Sequence, residues 1–219
     1  LVSIAICLFH WNNHQGGVSL GKMIKLDYYA RGMDEQIEKF IKGCALCNEQ
    51  KPSLRGKTTL GHAPIPPAPR HQWHMDFVVG LPNHEGKNAF LTICDVYSNF
   101  RLAFPESTKT TGKRVARIIE DNIITVFGAP THLASDQGSN LLKNKSVNAL
   151  LGRYGITRIL HTANISKTNG FIEIHNRHIQ DLVRILADQY KLPWTRVLKL
   201  ATMQLNMRPT KFFGNLSPH

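Results

Sequence analysis

Trp73-His74-Met75-Asp76-Phe77-Val78-Val79 reads as a β-strand ending near its one acidic residue, Asp76. Downstream, Asn88 to Asp95 and Phe100 to Phe104 read as two more strands joined by the turn-like Tyr97-Ser98-Asn99. The three should form an antiparallel meander. Lys113 to Phe127 then places Val115, Ile118, Ile119, Ile123, Val126 and Phe127 on one helical face, closed by Gly128-Ala129-Pro130. Thr131 to Ser135 predicts a strand, Lys145 to Tyr154 a helix and Thr157 to His161 another strand. Strands followed by alternating helices and strands predict an α/β fold, a mixed sheet with helices packed on it.

Upstream of this region, residues 52–71 hold five prolines, including Pro64-Ile65-Pro66-Pro67-Ala68-Pro69. Such a run favours an extended connector and marks a domain boundary. The predicted organisation is therefore a small helical unit over 1–51, a basic Pro-rich linker over 52–72 and a main domain over 73–219. Two helices and a few turns in the first unit would bury little surface, and a unit that small usually needs a staple. His10 and His14, spaced i, i+4, would share one face of a helix, and Cys44-Ala45-Leu46-Cys47 offers two thiolates from a turn. Together they make a closed Cys₂His₂ set suited to one structural Zn²⁺.

Charge is unevenly spread. Residues 1–50 carry five basic and five acidic side chains, whereas 51–71 carry four basic and none acidic, and 72–219 carry eighteen against ten. A neutral head and a basic remainder suggest a polyanion along the linker and main domain, nucleic acid foremost. Cys7, Cys44, Cys47 and Cys94 do not make a disulfide framework, which suggests a reducing compartment. The apolar opening Leu1 to Phe9 is too short to span a bilayer and reads as a buried helix. With no initiating Met and an end at Ser217-Pro218-His219, the chain reads as a fragment.

Two further carboxylates resemble Asp76 in context. Asp136 lies in Ser135-Asp136-Gln137-Gly138-Ser139-Asn140, where a short strand gives way to a Gly turn, and Glu173 follows Thr168-Asn169-Gly170 at the head of a long helical pattern. Carboxylates at the ends or edges of regular elements can converge on one spot. A few of them, with substrate phosphate oxygens, hold hard cations such as Mg²⁺.

Taken in order, the H-x₃-H pair, the C-x-x-C pair, a linker and then D, D and E resemble retroviral-type integrases, most closely those of gypsy-type LTR retrotransposons. The most specific phrases are Cys44 to Lys51, Met75-Asp76-Phe77-Val78, Ser135 to Asn140 and Thr168-Asn169-Gly170-Phe171-Ile172-Glu173. The resemblance implies an RNase H-like fold for the main domain and DNA integration by 3′-end processing and strand transfer. It places Asp76, Asp136 and Glu173 on a catalytic triad holding two Mg²⁺ (or Mn²⁺) ions, and His10, His14, Cys44 and Cys47 on the zinc site. It also implies double-stranded DNA as partner, a homo-oligomer, cytoplasmic synthesis within a polyprotein and action in the nucleus. In-line displacement suits this set, since one metal would activate the attacking oxygen and another would stabilise the leaving one, with Asp76 shared.

On the helix of Glu173, the residues Asn176, Arg177, Gln180 and Arg184 fall within a narrow arc with it, while Ile172, Ile179, Leu182, Val183 and Leu186 fall opposite. Asn176, Arg177, Arg184 and Lys167 are thus the candidate DNA contacts. His175 lies in the apolar arc as a core histidine, His74 as a hydrogen-bonded neighbour of Asp76, and Asp95 as a turn former. Asp136 and Glu173 are separated by 36 residues, one more than the family usually has, and Ser166 stands where a Pro is common. An alternative reading is a domesticated copy that keeps the zinc domain and basic surface for binding DNA or protein without catalysis. A ribonuclease H would want a fourth acidic ligand and no zinc module.

Overall fold

The computed structural model describes residues 2–50, 65–136, 144–161, 166–209 and 217–218. Most of the predicted linker, the loop after Asp136, the segment 162–165 and the side chains of Asp136 and Lys167 lie outside the described residues. Packing divides the chain into two compact units, Leu1–Thr58 with Arg177–His219, and Thr59–Asn176.

In the second unit, strands β1 (Gln72–His84), β2 (Lys87–Asp95), β3 (Arg101–Glu106), β4 (His132–Asp136) and β5 (Thr157–His161) form one sheet in the order β3-β2-β1-β4-β5. The meander β1-β2-β3 is antiparallel, and β4 and β5 add to the free edge of β1 in parallel. This is the mixed sheet of an RNase H-like fold. β1 is longer than predicted. Gly80 and Pro82 interrupt it only as a register shift between Val79 and His84, and the strand turns back through Glu85 and Gly86, both at positive φ, as a two-residue hairpin demands. Asp76 is therefore in the body of a strand rather than at its end.

Strand alternation sends Trp73, Met75, Leu91, Ile93 and Leu133 into one core with helices α5 (Gly112–Ile119) and α7 (Lys145–Arg153), through Val115, Ile118, Ile119, Val147, Leu150 and Leu151. Thr111 caps α5 by accepting from the Arg114 amide, and Asn144 caps α7 by accepting from Ser146. The predicted helix 113–127 is present, but a π-helical turn, Glu120–Ile124, separates α5 from its last turn α6 (Thr125–Phe127). The wider turn rotates the end of the helix, so Ile123 stays buried while Val126 is 63% exposed instead of facing the core.

The N-terminal part of the first unit contains four short helices in place of the two expected: α1 (Val2–Asn13), α2 (Gly17–Ile24), α3 (Met33–Lys42) and α4 (Ala45–Gln50). Ile6, Leu20, Ile24, Met33 and Ile37 form its small core. The long helix α8 (Ser166–Tyr190) begins seven residues before Glu173, so Ser166 and Lys167 belong to its first turn rather than to a loop. Gly170 is carried inside it, a cost of about 1 kcal/mol against Ala. The last helix, α9 (Trp194–Asn206), packs on α1. Among the described residues no helix is long and apolar enough to cross a membrane.

Candidate metal centres

His10, His14, Cys44 and Cys47 come together, with one ligand atom from each lying within 4.8 Å of all the others. Cys47 Sγ is 3.5 Å from both His10 Nε2 and His14 Nδ1, and Cys44 Sγ is 3.7 Å from His14 Nδ1. Zn–S bonds of about 2.3 Å and Zn–N bonds of about 2.0–2.1 Å in a tetrahedron separate S from N by about 3.5 Å. The four residues fit a zinc ion.

Local structure sets this geometry, with one departure from expectation. His10 is helical, but His14 lies one residue past the end of α1 at φ 44, where its amide still donates to the His10 carbonyl at 2.6 Å. That left-handed cap, usually taken by Gly or Asn, turns the imidazole so that it offers Nδ1 where His10 offers Nε2. His14 Nε2 donates to Gln189 Oε1 at 2.7 Å, which fixes the proton there and leaves Nδ1 its lone pair. Gln189 Nε2 in turn donates to the Trp11 carbonyl at 3.3 Å. Sequence reasoning missed Gln189, 175 residues from His14, because no spacing rule joins them.

The carboxylate candidates lie on the sheet face opposite the α5–α7 core. There His74 stacks on Phe171 (6.4 Å, 13° between planes), Phe171 meets His175 edge-on at 4.3 Å, and His175 Nε2 donates to Asn99 Oδ1 at 3.1 Å. These contacts seat the first half of α8 over the face that carries Asp76. Asn176 Nδ2 then donates to Asp76 Oδ2 at 2.7 Å, while the Phe77 amide donates to Asp76 Oδ1 at 2.8 Å. Glu173 is exposed and sits one helical turn before Asn176 on the same side of α8. The parallel ladder of β1 and β4 ends at Met75 opposite Ser135, so one step on, the backbones of Asp76 and Asp136 stand side by side, about 4.8 Å apart as neighbouring strands are. Asp136 itself pairs with His161.

The other candidates separate. Ile172, Ile179, Leu182, Val183 and Leu186 are buried and Arg184 is exposed, which matches the helical arc. Asn176 is only 8% exposed and turned onto Asp76, and Arg184 pairs with Asp181 at 3.3 Å. Arg177 is half-buried. Asp95 serves the turn, accepting from the Ser98 amide and hydroxyl and from the Arg70 amide. His175 is buried in the role expected of it.

An Integrase core domain model matches residues 66–164, and an Integrase zinc binding domain model matches residues 2–53. These matches support a retroviral-type integrase. Among curated proteins, the Transposon Tf2-3 and Tf2-4 polyproteins of Schizosaccharomyces pombe are each 24% identical over 196 residues, 88% of this chain. The chain spans 14% of the length of these relatives. Among solved structures, a chain of the simian T-cell lymphotropic virus intasome in complex with PP2A regulatory subunit B56 gamma shares the fold. Its TM-score is 0.65 at 15% identity, covering 97% of this chain and 70% of that one. Asp76 and Asp136 lie within the integrase core match; Glu173 lies beyond it.

Proposed function

We propose that this chain is the zinc-binding and catalytic part of a gypsy-type LTR retrotransposon integrase, organised as a zinc domain over 1–51, a linker over 52–72 and a core over 73–219. It trims and joins element DNA ends to double-stranded target DNA by phosphoryl transfer, as a multimer, in the nucleus after synthesis within a polyprotein. Asp76, Asp136 and Glu173 would hold Mg²⁺ or Mn²⁺, and their all-oxygen donor set suits a hard cation. A bound pair of such ions supplies charge stabilisation and an activated oxygen nucleophile. The observation that carries this reading is the Asn176–Asp76 hydrogen bond, which brings the Glu173 turn of α8 beside the strand pair of Asp76 and Asp136.

The residues of the chain have separate tasks. Asp76 is oriented from both oxygens, Glu173 stands exposed where a phosphodiester can approach, and Arg177, Arg184 and Lys167 supply positive charge along the same helix for the DNA backbone. A Mg²⁺-dependent disintegration or strand-transfer assay with a Glu173→Gln control tests the reading. Joined product that depends on Mg²⁺ and falls to background in the control is expected. Folded, zinc-loaded protein with no activity above that control would leave a binding protein without catalysis.

A further inference from the structure

Beside Asp76 lie two buried polar atoms for which the reaction as proposed has no use. Asn176 is only 8% exposed and donates through Nδ2 to Asp76 Oδ2, yet its own Oδ1 has no hydrogen-bond partner among the described residues. Thr92 is fully buried directly opposite Asp76 in the β1–β2 ladder, and its Oγ1 likewise has no partner among the described residues. A buried polar atom left unmet costs about 1–3 kcal/mol. Two such atoms flanking one carboxylate mark a place where further hydrogen-bonding groups belong.

We propose that Asn176 is the positioning residue of Asp76: its Nδ2 fixes the carboxylate in the rotamer that receives a divalent cation, and its buried Oδ1 accepts a hydrogen bond from water held by that cation. The inference rests on the metal-site reading above. It reassigns Asn176 from DNA contact to outer-shell support. An amide suits the task better than an ionic side chain. It donates to the carboxylate without neutralising it, so the charge that attracts the cation is kept, and it offers an acceptor from the same group. The rest of the face holds Asn176 in place, since Phe171 against His74 and His175 on Asn99 fix the turn of α8 from which it projects. A helix rotated by one residue would withdraw the amide and leave Asp76 Oδ2 to swing.

The test is Mn²⁺ binding to the zinc-loaded chain, followed by the spectrum of free Mn²⁺, for wild type, Asn176→Leu, Asn176→Ala and Asp76→Asn. Losing an outer-shell partner of a metal ligand typically weakens metal binding by about 10–100-fold. Both Asn176 variants should bind Mn²⁺ at least about tenfold more weakly, with zinc content unchanged and the chain still folding cooperatively. Their joining activity should recover as Mn²⁺ is raised by the same factor, which a general loss of structure would not allow. Wild-type Mn²⁺ affinity in either folded Asn176 variant overturns the inference and leaves the metal site standing. Mn²⁺ binding by wild type no tighter than by Asp76→Asn overturns both.

Discussion

The zinc cluster and the carboxylate face are built on opposite plans. The four soft ligands come from two short local elements, the end of α1 and the start of α4, and their atoms already lie at tetrahedral separations. The carboxylates come from β1, β4 and α8, so no one of these elements would define the proposed site; the sheet register and the seating of a helix would. In the N-terminal segment 2–50 a bound metal would be part of the fold. The core of that segment has five fully buried apolar side chains, so the zinc free energy, about 10–16 kcal/mol in small domains, is decisive. In the second unit the sheet and its fifteen-residue buried cluster fold the domain, and the carboxylates are guests on it.

That contrast can be broken at its strongest point first. Cys44→Ser should release the zinc and unfold the helices of 1–50, seen as loss of bound metal and of helical circular dichroism, whereas Asp76→Asn should abolish joining with the melting temperature unchanged. Equal damage from the two variants would erase the distinction. Next, Gln189→Leu should weaken zinc binding by about tenfold without removing a ligand, measured by competition with a chelator, because His14 loses the partner that fixes its tautomer. The thiols give a finer measure. At about pH 8, just below the ordinary thiol range, the zinc-loaded protein should expose one fast-reacting cysteine, Cys7; chelation should add Cys44 and Cys47, and only unfolding should release Cys94. Burial pushes the Cys94 thiol up from 9.0 to about 12, so the folded state keeps it protonated while the unfolded chain ionises. Its contribution is intact below pH 9.0 and is lost as pH rises from there toward about 12. Smallest of all, Arg177→Ala should lower DNA affinity evenly across sequences and reduce the slope of log affinity on log salt by about one.

The same contrast decides what can be read from the sequence. A zinc site closed by H-x₃-H and C-x-x-C is written in spacing, and the strands of the meander and the helix of Glu173 are written in periodicity. The left-handed turn at His14 is not legible, because a helical repeat gives no warning of where a helix stops. Nor is the π-turn that exposes Val126, since one wider turn leaves the apolar count unchanged. The strand-like run stops at Val79 in the sequence, which puts Asp76 near a strand end; pairing with β2 on the far side of an irregularity carries the strand on to His84. Asn176 donates to Asp76 and Gln189 accepts from His14, and only tertiary contact reveals either.

Convergence of Asp76, Asp136 and Glu173 is tested most directly by the anomalous signal of Mn²⁺ in crystals of the chain. The predicted result is a peak enclosed by the three carboxylates, with Asn176 on the Asp76 side of it and a water against Asn176 Oδ1. Saturating Mn²⁺ with no peak there, or with Glu173 turned away from Asp76, would contradict it.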